Sequence, residues 1–175
     1  MLERLANRFL APIDRTLFAI VCGIVLLGLI TLFSASYENP ARTTAQLANL
    51  ALAFAVMLAA SQLPPQILMR FAPPAYLVGL VLLVAVALFG DVRNGARRWL
   101  NLGVTSIQPS EIMKIAMPLM LAWYFHKRET LLRVHDYAVA ALLLAVPTLL
   151  IARQPDLGTA LLVTAAGCYV IFLAG

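Results

Sequence analysis

Six apolar stretches, each near the length that crosses a bilayer, fill most of this chain and fix its class of fold before any motif is read. They lie at residues 16–33, 45–63, 74–89, 109–125, 137–152 and 157–174. A helix needs about 20 predominantly apolar residues to cross roughly 30 Å of hydrocarbon, where every backbone polar group must bond within its own segment. The third and fifth stretches are short and must borrow flanking residues or sit where the bilayer is thin. Composition agrees: 62% of the 175 residues are hydrophobic and 12% charged, about half the charge of an average soluble domain. The expected fold is all-α, a polytopic helical integral membrane protein in a single transmembrane domain over 1–175.

The first stretch follows Arg4, Arg8 and Arg15 and precedes Ser34-Ala35-Ser36, the outline of a secretory signal. Its apolar core exceeds the usual signal length and five more stretches follow, so it is read as a retained helix. With the N-terminus in the cytoplasm, inside segments hold Arg4, Arg8, Arg15, Arg70, Lys127, Arg128 and Arg133, and outside loops hold Arg42, Arg93, Arg97, Arg98 and Arg153. The bias favours this orientation only weakly. Three of the outside arginines share one loop, 90–107, which is expected to keep them for a reason. The net charge of +5 is scattered, with no aromatic-lined basic stripe, and gives no argument for nucleic acid.

The fourth stretch, IQPSEIMKIAMPLMLAWYF at 107–125, places two formal charges in the first turns of an apolar helix. Pro109 suits a first turn, where its missing N–H is no loss, and Ser110 and Glu111 suit the positive end of the helix dipole. Lys114 lies three residues on, on the same face as Glu111. Neither charge should face lipid. Pro118 leaves the Lys114 carbonyl without a partner and should bend the helix. The pair is read either as a cap and register pin between spans or as charges lining a polar cavity.

Two further groups fall on the same side of the membrane. GDVRNGARRWLNLG (90–103) combines an Asn94-Gly95 turn signal with Arg97, Arg98 and Trp99, either an interfacial anchor or a receptor for an anionic amphipathic partner. ARQPDLGT (152–159) joins the last two stretches almost without a loop and holds Arg153, Gln154 and Asp156 at the hydrocarbon boundary. Asp156 is either a helix cap or part of a site. The two helix starts, QPSE and QPDLGT, facing one side, read as one site with N–H groups suited to anions.

Elsewhere the chain is plainer. Cys22 and Cys168 lie mid-span without a CxxC or a histidine neighbour. His126 and His135 lack metal-ligand spacing, and HKRETLLRVHD (126–136) reads as a solvated cytoplasmic connection. LPPQILMRFAPP (63–74) reads as a proline-bracketed interfacial segment. No metal site and no cofactor is expected from these residues, although they do not exclude a divalent cation.

GARRWLNLG, IQPSEIMKIAMPLMLAWY and RQPDLGTALLV, in that order and between the right spans, closely resemble the SEDS family (shape, elongation, division and sporulation) of bacterial membrane glycosyltransferases. The match is best to its rod-shape-determining branch. The resemblance implies a peptidoglycan glycosyltransferase that polymerises lipid II, the undecaprenyl-pyrophosphate-linked precursor, during cell elongation. It implies a place in the bacterial cytoplasmic membrane and partnership with a class B penicillin-binding protein and the elongation machinery. It also implies about ten spans and a catalytic acid in an outer loop after the seventh, beyond Gly175. By motif, Glu111 and Lys114 carry over as supporting cavity charges and Asp156 as a weaker candidate, with Arg97, Arg98, Trp99, Gln108, Ser110, Arg153 and Gln154 as substrate-binding residues. A lipid-linked precursor flippase and a non-catalytic membrane scaffold for a penicillin-binding protein are the alternatives.

Overall fold

The computed structural model describes residues 13–35, 40–93, 96–101, 106–128 and 132–175. Arg4, Arg8 and the Asn94-Gly95 turn signal lie outside the described residues. Six helices follow one another: α1 (Arg15–Ala35), α2 (Pro40–Ser61), α3 (Pro65–Phe89), α4 (Pro109–His126), α5 (Val134–Arg153) and α6 (Leu157–Ala174). Between α3 and α4 the chain forms three short strands, β1 (Asp91–Arg93), β2 (Ala96–Asn101) and β3 (Ser106–Ile107), paired antiparallel in the order β1-β2-β3. In their register Arg93 faces Ala96 and Leu100 faces Ile107. The loop expected to hold the arginines is therefore a small sheet.

The chain divides into two compact units, 1–64 and 65–175. In the first, α1 starts where the Asp14 carboxylate accepts the Leu17 N–H at 2.8 Å, the usual remedy for an unpaired first-turn donor. No residue of α1 is buried. Its link to α2 includes an edge-to-face pair, Phe18 and Phe54, with ring centroids 6.2 Å apart. Large apolar side chains such as Ile24, Leu27, Ile30 and Phe33 stand exposed along its length, a surface that suits lipid and not water.

In the second unit α4 is the central helix, packed against α3, α5 and α6 and touching β2. Met113, Met117 and Leu121 recur at a four-residue spacing that keeps them on one face, and all three are fully buried. Among the described residues five helices are long and apolar enough to cross a membrane, and α4 is not among them. Its packed faces are apolar, and Glu111, Lys114 and two prolines lower its hydropathy. Helix α3 starts at Pro65 and passes through Pro73 and Pro74, taking in the segment that hydropathy alone sets apart. Prolines are tolerated in membrane helices where neighbours meet the freed carbonyls.

One such carbonyl is met explicitly. Pro147 in α5 has no N–H for the Leu143 carbonyl four residues earlier, and the buried Tyr76 hydroxyl on α3 donates to that oxygen at 2.8 Å. Tyr76→Phe is expected to cost about 1 kcal/mol, the scale of an interhelical hydrogen bond in a membrane protein. In a Pro147→Ala background, where the backbone supplies its own donor, the same change should cost measurably less by denaturation in detergent. Equal cost in both backgrounds would show that Tyr76 does not serve this carbonyl.

Candidate functional site

The expected residues converge at one end of the second unit, where α3 runs into the sheet, α4 and α6 begin and α5 ends. Gln108 is the residue before α4, with extended backbone (φ −107°, ψ 107°), and its side chain makes no cap bond to that helix. The amide instead donates to Asp156 Oδ2 at 3.0 Å. The other carboxylate oxygen, Oδ1, accepts the Thr159 N–H at 3.3 Å and caps α6. QPSE and QPDLGT are thus joined through one buried aspartate, and both of its oxygens are engaged.

The turn between α5 and α6 is tied down twice more. Gln154, only 5% exposed, donates from Nε2 to the Leu83 carbonyl of α3 at 3.0 Å. Arg98, on β2, donates from Nε to the Gln154 carbonyl at 3.3 Å and from Nη2 to the Pro155 carbonyl. Its neighbour Arg97 is exposed, and Trp99 is half-buried. Successive strand residues face opposite sides, so the two arginines do different work. Ser110 is buried in the first turn of α4. Arg153, the last residue of α5, is exposed.

Glu111 and Lys114 form an ion pair at 2.6 Å on the surface of α4, with side chains 54% and 29% exposed. The two partners lie within one turn of the same helix. An exposed i,i+3 pair contributes only a few tenths of a kcal/mol, so stability gives little reason for two charges in this chain. Together the end presents two helix N-termini, the exposed Arg97 and Arg153 and a carboxylate-ammonium pair, an arrangement suited to an anionic group carried on a lipid.

Among the described residues the most buried carboxylate lies elsewhere, at the opposite end of the same unit. Asp136, 2% exposed, accepts from the Arg133 N–H at 2.9 Å, from the Tyr124 hydroxyl at 3.2 Å and from the Arg128 guanidinium. His135 Nε2 is 3.3 Å away. Sequence reasoning takes 126–136 as solvated charge and misses this group. The available signal is an acid at the third position of a helix, which reaches back to the N-cap N–H.

A family model described as "Cell cycle protein", for the FtsW, RodA and SpoVE proteins, matches residues 14–175. The peptidoglycan glycosyltransferase MrdB of Escherichia coli is 37% identical over 163 residues, covering 93% of this chain and 44% of MrdB. A probable peptidoglycan glycosyltransferase FtsW of Burkholderia thailandensis is 30% identical over 177 residues, covering 93% of this chain and 38% of that protein. The crystal structure of the Thermus thermophilus rod-shape-determining protein RodA superposes with a TM-score of 0.81 at 36% identity, covering 93% of this chain and 54% of RodA. A chain of a peptidoglycan synthase complex that coordinates polymerization and crosslinking gives 0.80 at 36% identity, with 93% and 48% covered. The chain spans about half the length of the relatives it matches. With its apolar helices and a family match running almost from end to end, this multi-pass membrane protein belongs to the FtsW/RodA/SpoVE family.

Proposed function

We propose that this chain contributes six spans to a peptidoglycan glycosyltransferase that polymerises lipid II for cell elongation. What carries the reading is one polar end on an apolar bundle, where Gln108, Asp156, Gln154 and Arg98 interlock beside the exposed Glu111–Lys114 pair. A lipid-linked pyrophosphate needs cations and helix N-termini at the membrane surface, next to a groove open to lipid. Glu111 and Lys114 line the cavity and stabilise charge as the glycosidic bond forms. Arg97, Trp99 and Arg153 meet the headgroup region of the substrate, and Ser110 borders it from the start of α4.

The protein sits in the bacterial cytoplasmic membrane with its N-terminus inside, all six helices crossing as one transmembrane domain. The polar end then faces outward, where lipid II is used. A class B penicillin-binding protein is its partner, as the relative in a complex that couples polymerization to crosslinking supports.

The test is polymerisation of labelled lipid II by the complete protein, resolved on a gel. Glu111→Ala or Lys114→Ala should lower glycan output about tenfold or more, the scale of a lost charge-stabilising group, and change stability by less than about 1 kcal/mol. Matched losses of stability and activity would reduce the pair to a structural role. Labelled precursor crossing a reconstituted bilayer without polymer would favour a flippase.

A further inference from the structure

The sheet between α3 and α4 is strapped to the α5–α6 turn, and the strap is Arg98. We infer that Arg98 is a positioning residue: it fixes the Gln154-Pro155-Asp156 turn and thereby the Asp156 carboxylate, and it is not itself an anion ligand. This deepens the reading above and rests on it only for its consequence in polymerisation.

The geometry is specific to arginine. Its Nε and Nη2 donors point along one edge of a rigid plane, and they meet two consecutive carbonyls, those of Gln154 and Pro155. These oxygens precede α6 and lie beyond the hydrogen-bonded body of α5, so the strap meets acceptors that the turn leaves open. A guanidinium engaged on that edge presents less of its fork to a phosphate. Arg97, one residue away and exposed, carries no such commitment.

The strap acts with two other long-range bonds. Gln154 holds the same turn to the Leu83 carbonyl, and Gln108 holds Asp156 to the start of α4. Asp156 in turn caps α6 through Thr159. Freeing Arg98 removes the only one of the three that comes from the sheet. The turn would still be anchored to α3 and α4, so the expected effect is a local loosening and not loss of the fold.

The chain reconstituted in lipid nanodiscs is used for hydrogen–deuterium exchange at the amides of residues 157–160. Arg98→Ala should speed exchange there about tenfold, as the loss of two hydrogen bonds to carbonyls allows. Arg98→Lys, a single-point donor, should speed it less, and Arg97→Ala should leave it unchanged. Unchanged exchange in Arg98→Ala, or equal effects at the two arginines, would overturn the assignment. A second arm uses the complete protein and lipid II. Arg98→Ala and Asp156→Asn should each lower polymer output, and the double variant should lose no more than the worse single, since both act through one carboxylate. Multiplying losses would overturn the coupling. A wild-type protein that makes no polymer would sink the glycosyltransferase reading alone, because the exchange result still decides what Arg98 does.

Discussion

Arg128→Ala is expected to destabilise the second unit by about 3 kcal/mol, the cost of leaving a buried carboxylate short of its cation. Asp136 is almost wholly removed from solvent, and Arg128 is its formal counter-charge, stacked at 4.5 Å over the Tyr124 ring that also donates to the same carboxylate. Removing the guanidinium leaves the Arg133 N–H, the Tyr124 hydroxyl and the nearby His135 imidazole to hold the charge. Asp136→Asn alone removes the charge and should cost less. The double variant should recover part of the Arg128→Ala loss, because a neutral amide needs no cation. Denaturation of the four proteins in detergent gives the coupling directly. Additive losses would mean that Arg128, 44% exposed, contributes only as a surface cation.

The second large effect is expected at Gly167 in α6. A Cβ there would lie 2.5 Å from Leu144 Cδ1 and 2.9 Å from Met117 Cε, inside any normal contact. Both contacts are with the ends of flexible side chains, which can yield to a methyl group, but Leu144 and Met117 are buried, and a whole leucine side chain requires repacking of both. Small residues let membrane helices approach closely, and Gly167 is where α6 meets α4 and α5. Gly167→Leu should therefore destabilise by about 3 kcal/mol, the upper part of the range for overpacking. Leu144→Ala in the same chain should relieve part of it. Gly28→Leu in α1, where a Cβ meets nothing within 4 Å, should be close to neutral. A neutral Gly167→Leu would mean that α6 shifts outward at little cost.

Gly28 and Gly167 look alike in sequence, each a glycine in an apolar run. Only the packing tells them apart, because one faces open space and the other faces two helices. The same holds for charge. Glu111 and Asp136 both sit in the first turn of a helix, yet the first pairs locally at the surface and the second is buried against three donors.

Hydropathy determined the helices, since the need to satisfy backbone groups in hydrocarbon leaves few alternatives for long apolar runs. Motif order determined the family, and the spacing of Glu111 and Lys114 determined their pairing, because three residues along a helix is a matter of local geometry. Tertiary structure decided the rest. It made α4 the centre of the unit, extended α3 through its prolines, and paired strands at 91–93, 96–101 and 106–107 within the loop. It committed Arg98 to two carbonyls 56 and 57 residues away, joined Gln108 to Asp156, and buried Asp136. Asp136 is held by near neighbours, Tyr124, Arg128 and Arg133, but the bonds of Arg98 and Gln108 join groups distant in sequence that meet because apolar helices pack side by side, and no local pattern records which neighbour a helix will choose.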